Sequence, residues 1–459
     1  MSVSLDRDDQ RGSRWKLVLA VILYITAYNA TYRDVITPVF SFWGMGYRDI
    51  APQYFWTTVM LCVIPSLWMP VTFSRPTLLM FYIQYFIVYI PAAFLVFHST
   101  KPELPHDFAM KIVWSMFLGI SAIQLSYRVP TARAPSLRMT PGAFWAIFTA
   151  VAIVMLAYLL VTLSGNFHLV SFGEVNSVRY AMGDIVAATG TRFGAYAQFL
   201  LLALFLPVFF AVGAYTRRWW LVGVTGAVYI FIFGISGAKQ AALSLVYLPA
   251  INALLTRRTG NIPVLFIGGL GGLLLTGYAS KAFLGPLPNV AYLSIIHFRF
   301  LTIPAFTIPE YAGFFAAHPV THLSHVTGIN LLIQYPYESD VAYTIGRFYF
   351  HTFVGLNGGI WSTDGIGGFG IWGIPMLSLL CAAIFWLFDS IAADMDQAFV
   401  GVVLSYGAVS FLNVSIFTTL ITGGLASVMM VLLVAPRDGS GRIELPTLPY
   451  PVFPTMPVR

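Results

Sequence analysis

The sequence predicts an all-α, polytopic membrane protein, and three observations carry that prediction. Hydrophobic residues make up 58% of the 459 residues and charged residues only 9%, with a mean hydropathy of +0.78, a balance foreign to soluble domains. The apolar residues fall in runs long enough to cross a bilayer, which takes roughly 20 residues at about 1.5 Å of rise each. The basic residues behind the net charge of +7 gather in short segments between those runs, so topology accounts for them and no nucleic-acid partner is called for.

In chain order the runs lie near 15–33, 54–73, 77–97, 109–127, 143–163, 195–215, 219–236, 241–255, 262–280, 368–388, 398–412 and 415–435, about twelve transmembrane helices in all. The leading MSVSLDRDDQRGSRWK mixes acids with bases and enters the first run without a small-residue cleavage site, which predicts a cytoplasmic tail and a retained first helix. The runs on either side of Lys239 are short, and Asn413 divides 398–435 into a hairpin. With the N-terminus inside, Arg7, Arg11, Arg14, Lys16, Arg75, Arg128, Arg133, Arg138, Arg217, Arg218, Arg257, Arg258, Arg437, Arg442 and Arg459 are cytoplasmic. The acidic inner loop DSIAADMDQ fits this orientation least well.

Two outer segments are long, 165–194 and 281–367. Both are rich in aromatics and poor in Ser, Lys and Glu, so order rather than disorder is expected. The larger one is expected to hold short helices in or on the membrane surface, anchored by Phe298, Phe300, Leu301, Phe314 and Phe315. The whole of 1–459 reads as one integral membrane domain, closing on a cytoplasmic proline-rich tail at 436–459 in which Pro446, Pro449, Pro451, Pro454 and Pro457 favour extended chain. Cys62 and Cys381 lie inside apolar runs and suggest neither a disulfide nor a thiolate site.

The chemistry collects in the outer segments. Arg179, Arg192, Arg299 and Arg347 lie in the two long loops and Lys239 in the tight turn SGAKQ. Permanently charged planar guanidinium groups suit a diphosphate, although any single one can equally reach lipid headgroups. His297, His318, His322, His325 and His351 fall in one loop, where they can act as base, hydrogen-bonding group or interfacial packing. His322 and His325 have helical i, i+3 spacing, but no acid or cysteine stands at a companion spacing, so no metal is expected. Among the acids Glu310, Glu338, Asp340 and Asp364, the last is best placed, just ahead of the glycine-rich GIGGFGIWG, where it can cap a helix or assist catalysis. No P-loop, dinucleotide fingerprint or nucleophile elbow is present, and no cofactor is expected.

The run NGGIWSTDGIGGFGIWG, with Asn357, Asp364, Gly370 and Gly373, resembles the late-chain motif of bacterial oligosaccharide repeat unit polymerases of the O-antigen type, which are more distantly similar to O-antigen ligases. FRFLTIPAFTIPEYAGFF, around Arg299, Pro304 and Tyr311, resembles the segment leading into that family's large periplasmic loop, and SGAKQAALSLV around Lys239 resembles a segment between two of its helices. The resemblance covers most of the chain in layout but only these stretches in residues. It implies a GT-C-like multi-pass enzyme of the bacterial inner membrane that joins undecaprenyl-diphosphate-linked oligosaccharides into a surface or exported polysaccharide. Transfer would be inverting, metal-independent and periplasmic, with a chain-length regulator as a further protein partner. Asp364, His325 and His351 are then the catalytic candidates, and Arg179, Arg192, Lys239, Arg299, Arg347 and Asn357 the diphosphate- and sugar-binding ones. The ligases carry an HN-type histidine segment, whereas His351 here is followed by Thr352. A ligase or another lipid-linked glycosyltransferase is the alternative reading. A transporter would call for charge inside the spans, and an acyltransferase for a membrane-embedded histidine with an acid, such as His325 with Asp340.

Overall fold

Backbone inside a bilayer has to satisfy its own hydrogen bonds, which makes helix the default for apolar runs. The computed structural model describes residues 2–132, 137–163, 165, 167, 193–257, 261–326, 328–352, 354–358 and 360–445, with side chains from Ser13 onward and Ile360 excepted. Among these residues helix is the only extended regular structure, and the only strand-like pairing is an isolated bridge between Arg437 and Ile443. In chain order the helices are α1 (Ser2–Thr31), α2 (Pro52–Val63), α3 (Leu78–His98), α4 (His106–Ser126), α5 (Pro141–Leu163), α6 (Phe193–Tyr215), α7 (Trp219–Ser236), α8 (Lys239–Leu255), α9 (Ile262–Phe283), α10 (Pro286–Ala317), α11 (Val341–Phe350), α12 (Ile360–Phe369), α13 (Gly373–Ile391), α14 (Gln397–Ser410) and α15 (Ile416–Val434). Nine of them are long and apolar enough to cross a membrane: α3 to α7, α9, α10, α13 and α15. The chain is therefore an all-helical, multi-pass membrane protein.

Helix α3 is the hub. Every residue from Leu78 to His98 is buried inside the protein, so none of its faces meets lipid, as expected of a helix that is apolar all round. Its aromatic ladder is tied by hydroxyls to neighbouring backbone, with Tyr89 donating to Leu61 O at 3.0 Å and Tyr85 to Cys62 O. The two ends of α3 define two faces of the molecule. At the Thr77 end, Asp389 on α13 accepts from Thr77 N and Oγ1 at 3.2 and 2.7 Å. Arg75 donates to Val129 O at this face, and Asn261 to Ser13 O.

Of the basic residues that sequence placed together, Arg75, Arg138, Arg437 and Arg442 gather at the Thr77 face. Asp394 pairs with Arg138 at 2.5 Å and also with Arg437, and Asp396 pairs with Arg442 at 3.0 Å while capping α14 through Phe399 N. The acidic loop that fitted the charge rule least well is the counter-charge of this cluster. At the opposite, His98 face, Tyr32 stacks on His98 and donates to Gly46 O, and Arg48 O lies 2.8 Å from His98 Nδ1.

The long segment 281–367 differs from the expected loop in its first part. Helix α10 fills 286–317 and is long enough to cross, yet both of its ends belong to the His98 face. Just before it, Lys281 donates to Asp34 O, two residues from Tyr32; near its end, Gly313 packs on Pro102 beyond His98. Between those ends it dips inward, where Thr302 lies beside Tyr28 of α1. A π-helical stretch, Ser294–Thr302, precedes Pro304 and Pro309, and such stretches, like prolines, bend helices by freeing backbone groups. The expected surface anchors Phe298, Leu301, Phe314 and Phe315 are buried in the protein instead, Phe298 stacking on Phe40 at 4.5 Å.

Helix α12 begins deep and runs toward the His98 face. Trp361, in its first turn, donates from Nε1 to Gln84 Oε1 at 3.0 Å, whereas Gly367, near its end, accepts from Thr321 N at 2.8 Å. The chain reverses at Gly370, whose φ of +74° suits glycine, and α13 descends. A Cβ on Gly365 would come within 2.6 Å of the Gly373 backbone, so this hairpin closes only with glycine there.

Candidate functional site

The site is built where three interrupted helices meet. Helix α14 ends at Ser410, and the backbone to Ser415 is irregular, a costly state at membrane depth unless side chains take over the released groups. Gln84 Nε2 donates to Phe411 O at 3.3 Å, and Gln240 Nε2 donates to Tyr406 O at 3.1 Å and to Ser410 Oγ at 2.7 Å. Asp364 holds the other side of the break, its Oδ2 accepting from Ser415 Oγ at 2.9 Å and from Ile416 N at 2.8 Å. Both bonds fall on Oδ2, and no described group donates to Oδ1.

This placement alters one sequence expectation. Asp364 does not precede the glycine-rich helix; it lies in the middle of α12, and GIGGF completes that helix. It caps α15, which follows 52 residues later. Asp364 is buried.

One turn inward of the His98 face, Glu310 on α10 is fully buried, with neither carboxyl oxygen hydrogen-bonded. The next residue, Tyr311, donates to Leu356 O at 3.1 Å, and its hydroxyl lies near the carboxyls of both Asp364 and Glu310. Glu310 stood among the acids that sequence offered but was not preferred. An acid inside the apolar IPAFTIPEYAGFF was the signal, hidden because that stretch read as loop.

An outer layer covers these carboxyls. Tyr349 of α11 lies beside Glu310, and burial, then Glu310, pushes its hydroxyl above the usual phenol range. Phe348 meets Phe314 edge-on at 5.4 Å, and His318 stacks flat on Phe314 at 4.1 Å. His325 is half-buried, its Nδ1 3.3 Å from Thr321 Oγ1; burial holds it below the ordinary imidazole value and Asp340 opposes that shift. Burial, then Asp340 and Tyr337, raises Tyr335 to about 12. His351 ends α11 in the left-handed region at φ 54° and is exposed, as are Arg347 and Asn357.

The predicted site residues thus divide. Asp364 lies at depth, and His325, His351, Arg347 and Asn357 lie in the layer above. Arg299 is exposed on the π-helical stretch beside Phe298, and Trp43 joins that stretch to α11 by touching both Phe298 and Phe350. Lys239 begins α8, half-buried, next to Gln240. Arg179 and Arg192, most of the 165–194 loop, and residues 446–459 of the tail lie outside the described residues. Among the described residues no three His, Cys, Asp or Glu side chains gather as a metal site.

Fold and site together define a multi-pass helical membrane protein with a polar seam reaching inward from one face. Set against family models, curated proteins and solved structures, the chain finds no match.

Proposed function

We propose that the protein is a polysaccharide polymerase of the bacterial inner membrane. It joins undecaprenyl-diphosphate-linked oligosaccharide repeat units by inverting glycosyl transfer at the periplasmic face, on a GT-C-like layout of about twelve spans. The His98 face is then periplasmic and the basic Thr77 face cytoplasmic. The observation that carries this reading is the path of residues 286–369: the chain dips in and returns to one face, setting Asp364 beneath a layer that exposes Arg347, His351 and Asn357. A reaction between two lipid-linked sugars needs such a one-sided site, because donor diphosphate and acceptor hydroxyl both approach from the same membrane surface.

In this reading Arg299 and Arg347, with Arg179, Arg192 and Lys239, bind the diphosphate through charge-assisted hydrogen bonds. Asp364, with Oδ1 uncommitted, hydrogen-bonds the acceptor sugar and assists the attack, and Asn357 and His351 line the sugar path. The acceptor hydroxyl gives up its proton to a carboxylate of the site as its oxygen bonds to the anomeric carbon, the bond from that carbon to the diphosphate oxygen breaks with its electrons going to oxygen, and the lipid diphosphate leaves. Arg299→Lys and Arg347→Lys test the binding part. Each keeps the charge and loses the planar fork, and each is expected to shorten the polymer. Normal chain length from both variants would remove these arginines from the site.

A further inference from the structure

We infer that Glu310 is a second carboxyl of the reaction site, lying beneath α11, and that it takes the proton of the attacking sugar hydroxyl when that helix lifts. The inference rests on the polymerase reading. Glu310 is fully buried and both its oxygens lack a donor, although it sits in a helix where a methionine or leucine would fill the same space with nothing left unpaired. Buried ionisable groups in membrane helices are costly and are functional by default. A carboxylate without donors is not sustained as an ion in such a place, so Glu310 is neutral while covered.

Its cover is one short helix, α11, which is proposed to lift. Helix α11 is an amphipathic element of ten residues whose Arg347 faces outward, while Phe348 packs edge-on against Phe314 and Tyr349 reaches down to Glu310 and Gly313. Among the described residues, the titratable groups facing Glu310 are Tyr311 beside it, Tyr349 above it and Asp364 beyond the Tyr311 hydroxyl. Buried α3 packs on the same stretch of α10 and adds no charged group to it.

The two carboxyls then divide the work. Asp364 has committed Oδ2 to Ser415 and Ile416, and its Oδ1 holds a neighbouring hydroxyl of the acceptor sugar. Lifting α11 wets Glu310 and lets it ionise. The attacking hydroxyl's proton passes to the Glu310 carboxylate as the oxygen bonds to the anomeric carbon and the lipid diphosphate departs. Glu310 later returns the proton to water.

The test uses the full-length protein reconstituted in lipid vesicles with undecaprenyl-diphosphate-linked repeat units, comparing wild type with Glu310→Met, Glu310→Gln and Glu310→Asp. Glu310→Met and Glu310→Gln are expected to melt at or above the wild-type temperature and to polymerise about 100-fold more slowly. Glu310→Asp is expected to keep part of the rate, with the rising limb of its pH profile displaced. If wild type polymerises and Glu310→Met, folded, polymerises equally fast, Glu310 is structural and the inference falls while the polymerase reading stands. If wild type itself makes no polymer from these substrates, the reading falls and takes the inference with it.

Discussion

The Asp364 carboxylate accepts a 2.8 Å hydrogen bond from the backbone N–H of Ile416, 52 residues further along the chain. One side chain thereby caps the last helix and ties it to α12. Its two roles, cap and reactant, separate by substitution. Asp364→Asn keeps an oxygen for Ser415 and Ile416, so stability should change by less than about 1 kcal/mol, Asn being nearly as good a cap. Asp364→Ala leaves two donors without their acceptor and should cost about 1–3 kcal/mol. Transfer by Asp364→Asn should slow about 10- to 100-fold from loss of a charge-assisted bond to the sugar. Melting curves and polymer length on the same preparations check both halves.

At the Thr77 face, Asp394 serves Arg138 and Arg437 unequally. Arg437 is nearly buried and Arg138 is half exposed, with side-chain exposures of 5% and 47%. Asp394 is itself half exposed and Arg437 also donates to Ile391 O and Leu432 O, so losing the pair to Arg437 costs about 1–3 kcal/mol, whereas an exposed pair contributes about 0–1 kcal/mol. Asp394→Asn should therefore lower thermal stability much more than Arg138→Gln does. Equal melting temperatures for the two variants would show that Arg437 finds another partner.

The His325 imidazole is held below its ordinary value by burial, with Asp340 opposing. A histidine depressed in the folded state binds fewer protons there than when released, so its contribution to order is complete above the ordinary value of about 6.5 and is lost as pH falls below it. Protection of the Ser324 and Val326 amides, which donate to Thr321 O and Leu323 O, should fall on acidification once exchange is corrected for its base-catalysed intrinsic rate. His325→Gln should make that protection insensitive to pH over the same interval.

Sidedness can be read by cysteine labelling in a favourable background, since Cys62 and Cys381 are both buried. A cysteine at exposed Leu137 should be protected in intact cells from a membrane-impermeant reagent, and one at exposed Asn330 should react. Reaction at position 137 would invert the orientation.

Much of the helical layout was legible because apolar runs such as 77–97 and 143–163 announce themselves by length. Helix α10 was not, since Pro286, Pro288, Pro304 and Pro309 with His297 and Arg299 read as interruptions. The structure absorbs them by starting the helix on a proline and winding Ser294–Thr302 as a π-helix. Gln84 passed as one polar residue in a span, and only the fold shows it joining Trp361 to Phe411. Asp364 was found from its glycine-rich setting, but its partner Ile416 was out of sequence reach. Glu310 stood among the candidate acids but was not preferred, because its cost is visible only once its surroundings are known to hold no donor.

Chain growth from lipid-linked units at one face of the membrane can be followed by reconstitution. Purified protein in vesicles is given undecaprenyl-diphosphate-linked oligosaccharide, and product length and released undecaprenyl diphosphate are followed together. A polymerase should give a ladder of multiples of the repeat unit, with one lipid diphosphate released for each new linkage. Repeat units that stay single on their lipid, with no lipid diphosphate released, would contradict it.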